Sequence, residues 1–366
     1  MSEGTSRPVS EGSARGLTIR DFDPASASAE DWAAFHEFRR ARHQEAEPED
    51  PFEPNDVSEL HLRQPEPGDE RSLRAAFDSG RIAGLLRLSW TGPESPEYES
   101  WAHLLWADGW VLEPHRGRGL GRLWLAETLA AMERTGTTTV SSNVEQPGGH
   151  DFLRRVGAEP KFTERRSRLD LRRLDWDLVA RWVAEGPARA PDIRLEMFPD
   201  RFPDDRIEEL SGPLTELLNT MPWEGMEHGE LVYTPERLRF WFERLTATGE
   251  LNHTLLALEP GGGIAGMTDV AVRPRERIFI HQNFTGVHPR ARGRGLGRWL
   301  KAAMLEFVRQ RHPDAIWFTT ENAVSNRHML AINEALGFQP HRTDTTYQMS
   351  RERLAEAVRA RPSPLS

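Results

Sequence analysis

The chain changes hydrophobic period in the same order twice. Residues 72–77 and 82–90 are apolar runs joined by Asp78, Ser79 and Gly80, and residues 254–258 and 264–272 are joined by Pro260, Gly261, Gly262 and Gly263. Short glycine-bearing joints between such runs are hairpin punctuation, so each half is predicted to carry a strand–turn–strand unit. A third apolar segment follows in each half, at 102–112 and 278–287. The period then lengthens from two to 3.6. Leu296, Trp299, Leu300, Ala303, Met304, Phe307 and Val308 fall on one helical face, and Leu120, Leu123, Trp124, Leu129 and Ala130 trace a looser version of it. A short strand comes next, 137–142 and 315–320. Each half closes on a further helix and a glycine turn, at Gly157 and Gly337. Upstream of the hairpins, 31–42 and 207–219 read as helices followed by polar, proline-rich loops.

The repetition is literal at one place. Arg-Gly-Arg-Gly-Leu-Gly-Arg stands at 116–122 and again at 292–298, between the third apolar segment and the long helix. A duplicated unit is therefore expected, which suits a chain of 366 residues, too long for one core of ordinary size. The expected organisation is a disordered tail at 1–16, a first domain at 17–172, a linker at 173–191, a second domain at 192–350, and a tail at 351–366. The linker contains a helix at 176–184 and then a Gly-Pro-Ala-Arg-Ala-Pro boundary.

A glycine-rich turn between a strand and a helix is an anion site. Glycines let the backbone approach the ligand, and the free N–H groups of the helix end point at phosphate oxygens. Arg116, Gly117, Arg118, Gly119, Gly121 and Arg122, and likewise Arg292, Gly293, Arg294, Gly295, Gly297 and Arg298, are the expected ligands of a pyrophosphate-bearing cofactor. A Rossmann site would read Gly-x-Gly-x-x-Gly with an acidic residue at a strand end about 20 residues on, and neither stands at these two loops.

The pattern Arg-x-x-Gly-x-Gly, with Val111 and Val287 six residues before the first glycine, resembles the acetyl-CoA signature of the GNAT superfamily. The resemblance covers 17–172 and 192–350. It implies an α/β fold, two GNAT domains in tandem, each a mostly antiparallel mixed sheet with flanking helices. It implies an N-acetyltransferase that uses acetyl-CoA as co-substrate and needs no metal. In that family the backbone of the strand before the loop grips the acyl and pantetheine groups, which implies Thr285 and Val287 in the second half and Val111 in the first. An Asn after the next strand often approaches the pantetheine arm, which implies Asn322 and Asn326. Many members carry a Tyr four residues before the last glycine as the acid for the departing thiolate; here Asn333 and Leu153 stand there, so Asn333, a water or Tyr347 would have to serve.

Period-two alternation puts His281, Asn283, Thr285 and Val287 on one strand face, so His281 is either the general base for the acceptor or a structural histidine. Leu105 occupies its place in the first half, which assigns chemistry to the second half and a cofactor-binding, non-catalytic role to the first. The segment 221–230, with Trp223, Glu224, Glu227 and Glu230, is either an acceptor-pocket wall suited to a cation, with Glu230 as a candidate catalytic carboxylate, or a solvated acidic loop. Glu321 and Asp269 also lie near the expected cleft.

Composition narrows the partners. The net charge of −10 speaks against nucleic acid and mildly for an amine substrate. No apolar run is long enough to span a membrane. The absence of cysteine excludes disulfides and thiolate chemistry and fits a reducing, cytoplasmic setting. The resemblance extends to two-domain actinobacterial members that act on small molecules, among them mycothiol synthases and antibiotic acetyltransferases. The expected partner is thus a small-molecule amine. A CoA-binding sensor without turnover, and acetylation of protein lysines or N-termini, remain the alternatives.

Overall fold

A computed structural model describes residues 13–14 and 16–360. The expected disordered ends at 1–12 and 361–366 lie outside the described residues. The chain divides into two compact units, one running to Glu159 and resuming at Tyr347, the other spanning Pro160–Thr346.

The first unit contains β1 (Ser13–Ala14), β2 (Leu17–Asp21), α1 (Ala29–Ala46), α2 (Asn55–Arg63), β3 (Asp69–Asp78), β4 (Arg81–Thr91), α3 (Tyr98–Trp101), β5 (Leu104–Val111), α4 (Leu120–Thr135), β6 (Thr139–Val144) and α5 (Pro147–Arg155). Its strands run antiparallel in chain order as far as β5, and β6 then pairs parallel to β5. Leu86, Leu88, Leu105 and Val140 pack one sheet face against Leu120, Trp124 and Met132 of α4. Phe22, Leu73 and Leu85 pack the other against Trp32, Phe35 and Phe38 of α1.

The second unit repeats the plan with β7 (Glu159–Asp170), α6 (Trp176–Arg189), β8 (Arg194–Phe198), α7 (Asp204–Leu218), α8 (Pro235–Thr248), β9 (Leu251–Leu258), β10 (Ile264–Val272), β11 (Phe279–Val287), α9 (Leu296–Arg311), β12 (Trp317–Ala323), α10 (Arg327–Leu336) and the start of β13 (Gln339–Ser350). Again one pair, β11–β12, is parallel. Leu296, Trp299, Leu300 and Met304 of α9 fill one face, and Ile207, Leu210 and Leu214 of α7 with Leu238 and Phe242 of α8 fill the other.

The sequence boundaries need correction in three places. The first domain does not end at 172: β7 runs antiparallel to β12, with Trp317 opposite Asp170 and Ala323 opposite Glu164, and belongs from Pro160 onward to the second unit. The second domain does not end at 350 with a free tail after it. From Tyr347 the chain returns to the first unit, where Gln348 Nε2 donates to Ser141 Oγ at 3.0 Å and Arg351 N to Thr138 O at 2.8 Å. It then forms α11 (Arg351–Arg359), capped by Ser350 Oγ, which accepts from Arg353 N. Tyr347, Met349 and Leu354 lie in the core beside α4. Each repeat thus lends its last strand to the other. Finally, the 173–191 segment, expected as a linker holding a helix at 176–184, does carry that helix but is packed into the second unit's core. It is dominated by α6, capped by Asp175, which buries Val179 and Trp182 and passes so close to Trp299 that a Cβ on Gly186 would stand 2.2 Å from its ring. The polar loops expected after the first helices contain α2 and α8.

Leu354 is fully buried within the last turns of the chain. Leu354→Ala should cost about 2–5 kcal/mol, the range for a buried leucine, where a tail residue would cost nothing. Denaturant unfolding followed by tryptophan fluorescence checks this.

Candidate active site

Both glycine loops are built the same way. α4 begins on Gly119 at φ 95° and α9 on Gly295 at φ 81°, and neither helix has a side-chain cap. Gly117 and Gly293 are left-handed too, at 75° and 81°. Around Gly117, Gly119 and Gly293 an added Cβ would meet nothing within 4 Å, so conformation and not crowding demands glycine there. Gly121 and Gly297 serve close packing instead: a Cβ would stand 3.0 Å from Phe152 and 3.3 Å from Ile332.

The arginines mostly hold the protein rather than await a ligand. Arg116 Nε donates to Val111 O and Arg292 Nε to Val287 O, both at 3.1 Å, so each staples its loop to the preceding strand. Arg118 pairs with Asp78 at 2.6 Å and Arg294 with Asp192 at 3.2 Å. Arg122 donates to Val358 O at 3.4 Å, and Arg298 lies over the Trp182 ring. Arg116 also donates to Glu45 at 3.0 Å, a carboxylate on the first loop's own arginine. The uncapped helix ends are what the geometry offers an anion.

Next to each loop a parallel pair parts. β5 and β6 pair only as far as Trp106 and Ser141, and β11 and β12 only as far as Gln282 and Thr320. Beyond those points Val111, Thr285 and Val287 lie on strand edges turned toward a widening gap. In the second unit β11 also carries a bulge. Asp269 lies opposite Phe284 but Val270 opposite Gln282, leaving Asn283 as an extra residue. The slip overturns the expected common face. Thr285 goes with Gln282: Thr268 Oγ1 lies 2.7 Å from Thr285 Oγ1 and accepts from Gln282 Nε2 at 2.8 Å. Behind them the buried Lys301 donates to Gln282, its ammonium pushed down to about 7 by burial. His281 goes to the opposite face, with Phe284 and Asp269.

On that face His281 Nε2 is 2.8 Å from Glu276 Oε2 and Nδ1 is 3.2 Å from Thr319 Oγ1. Burial alone would raise the Glu276 carboxyl; the His281 hydrogen bond and the Arg273 charge outweigh it and hold it below the usual range. Glu321 accepts from Arg166 Nε at 2.5 Å. Beside it, burial and the Glu321 charge push Glu164 up to about 7. Trp223 and Met226 of the 221–230 segment pack with Phe162 and Ala323. Glu224, Glu227 and Glu230 are exposed on the same segment. Glu164 and Phe162 could not be found from sequence, because they sit in the strand that the first repeat lends.

The remaining candidates have local duties. Asn333 is fully buried, its Nδ2 donates to Asn322 Oδ1 at 2.6 Å, and its own Oδ1 has no partner. Asn326 caps α10 by accepting from Met329 N. Tyr347 cannot serve as the acid of the second unit, since it is buried in the first with its hydroxyl 3.1 Å from His150 Nδ1. In the first unit β4 and β5 stay in register from Gly84–Val111 to Trp90–Leu105, without a bulge. Leu105 is buried there, and Asp108 pairs with Arg87 at 2.6 Å while accepting from Asn143 N at 3.4 Å across the parting strands.

Among known proteins, the family model described as the acetyltransferase (GNAT) family matches residues 32–158 and again 216–338. The mycothiol acetyltransferase of Acidothermus cellulolyticus is 28% identical over 310 residues, 79% of this chain and 83% of that one. That of Amycolatopsis mediterranei is 26% identical over 279 residues, 73% of this chain and 81% of that one. Among solved structures, a tandem GNAT protein from the clavulanic acid biosynthesis pathway superposes with a TM-score of 0.72 at 24% identity, covering 92% of this chain and 98% of that one. With its family pattern matched twice and the parting strands and glycine loop built twice, the chain belongs to the GNAT acetyltransferases as a tandem, two-domain acyltransferase.

Proposed function

We propose that the second unit transfers the acetyl group of acetyl-CoA to the primary amine of a small cationic molecule. The residues present fit that co-substrate: an uncapped helix end for its pyrophosphate, led by Gly295, and the free β11 edge around Thr285 and Val287 for its arm. Bound there, it would supply an activated acyl group. The chain's own work is to hold the amine and take its proton.

The observation that carries this reading is the His281–Glu276 pair at the mouth of the parting strands. With Nε2–H donated to Glu276, the lone pair on Nδ1 is the basic one. Thr319 Oγ1 also lies 3.3 Å from Ile280 O, so its hydroxyl can turn away from Nδ1 and leave it for the acceptor or a bridging water. Glu276, Glu164 and Glu321 with Trp223 and Phe162 make this face suited to a cation with an apolar body. The relatives named mycothiol acetyltransferase support a small-molecule acceptor. Leu105, Leu153 and the unbulged β5 support a non-catalytic first unit.

Mixing the protein with acetyl-CoA and a panel of primary amines, and following thiol release, tests the reading. Release is expected with small cationic amines; binding without release for every amine would leave a sensor. His281→Ala should lower kcat on the order of 10²–10⁴-fold, the usual worth of a general base. Glu276→Gln, which keeps the shape and loses the charge, should fall between that variant and the wild type.

Placing a β-branched residue at φ 81° or 95° strains the loop. Gly295→Val should therefore lose turnover and the second unit's cofactor binding, while Gly119→Val loses mainly binding in the first. Calorimetry beside the turnover assay separates them, and the reverse pattern would move the chemistry to the first unit.

A further inference from the structure

Asp269 is a buried carboxylate of β10 with an unusual set of neighbours. Its Oδ1 accepts from Phe284 N at 3.0 Å and its Oδ2 from Asn283 Nδ2 at 3.0 Å. The Asn252 side chain also bonds to it, and Asn283 Nδ2 lies 3.3 Å from Asn252 Oδ1. Asn283 is the extra residue of the β11 bulge and Phe284 is the next one. One carboxylate therefore ties down both the side chain and the backbone that the bulge takes out of the ladder. A bulge leaves such groups without ladder partners, and a buried amide N–H without an acceptor is costly.

The carboxylate is itself expensive to bury. Its contacts are neutral donors, and burial holds its carboxyl up at about 6. Mere filling of the site would be met more cheaply by an apolar or amide side chain. The first unit shows the alternative at the matching place. Counting three residues from the shared Gly–Val pair, Gly84 opposite Val111 and Gly266 opposite Val287, Arg87 stands where Asp269 does. There the partner strand has no bulge.

The bulge decides which way His281 points. With unbroken alternation His281 would share the face of Thr285, the side occupied by Gln282 and Lys301. The extra residue reverses everything before it. We propose that Asp269 is the positioning residue of the acetyl-transfer site: by holding the Asn283–Phe284 bulge, it turns His281 to the acceptor face and fixes the free edge of β11. This rests on the proposed chemistry of the second unit, and it acts through His281 and the strand without touching the substrate.

The test compares Asp269→Ala, Asp269→Asn and the exchange Asp269→Asn with Asn283→Asp. Alanine leaves the Phe284 amide without an acceptor. The exchange returns a carboxylate to the same pair and lets the amide oxygen introduced at position 269 accept from Phe284 N. Expected for alanine is a kcat per folded molecule lower on the order of 10- to 100-fold with the amine KM little changed, as for a displaced catalytic group. The exchange should recover part of that loss relative to Asp269→Asn. Hydrogen exchange at Phe284 should be faster in Asp269→Ala, which reads the lock whether or not an acceptor amine has been found. If the wild type turns over no amine, the functional reading fails while the exchange measurement still judges the lock. If Asp269→Ala keeps wild-type kcat, or loses activity only in proportion to its folded fraction with Phe284 protection intact, Asp269 is not a positioning residue. Should alanine fail to fold, Asp269→Asn and the exchange pair decide by the same two measurements.

Discussion

Two neighbouring parallel strands that start together and then separate leave backbone N–H and C=O groups facing a gap. Within a sheet this is a costly arrangement, and it persists only where something else occupies the gap or water reaches it. In the second unit nearly every feature of the site serves that separation. The left-handed glycines start α9 beside the gap, Arg292 ties the loop to the carbonyl of Val287, and the bulge turns β11 so that His281 shares a face with Phe284 and Asp269. The chemistry is then mostly placement. A histidine bonded to a buried carboxylate and an open strand edge are brought to one place by backbone geometry.

The two units keep the same plan with different side chains around it. The first retains the glycine loop and the parting strands. Its Asp108 accepts from Asn143 N across the gap, and its loop arginine Arg116 is held by Glu45. Leu105, which stands where the second unit has His281, is buried in the core.

Much of this was legible in the sequence, because it is local. Change of period marks strand against helix, and glycines mark the loop, so the duplicated plan and both glycine loops follow from residues within a few positions of one another. What was not legible depends on partners far along the chain. Strands β7 and β13 read like any others, and nothing near Glu164 says that it will stand beside Glu321. A one-residue bulge leaves no mark in the alternation around Asn283, yet it reverses the face of His281. The helix of 176–189 ends in a composition that usually marks a boundary; Gly186 is there because Trp299 needs the room. The arginines suggested phosphate ligands because their acidic partners, Asp78 and Asp192, are remote in sequence from the loops.

The exchange of last strands has a consequence for synthesis. A chain emerging from the ribosome presents its first unit nearly whole by Glu159, but the strand that borders β6 and the helix that covers α4 arrive only after Tyr347. At the ordinary pace of translation that interval is about 10–40 s. Throughout it, the outer edge of β6 and the apolar side of α4 stand uncovered, and the first unit is completed only after the second has been translated.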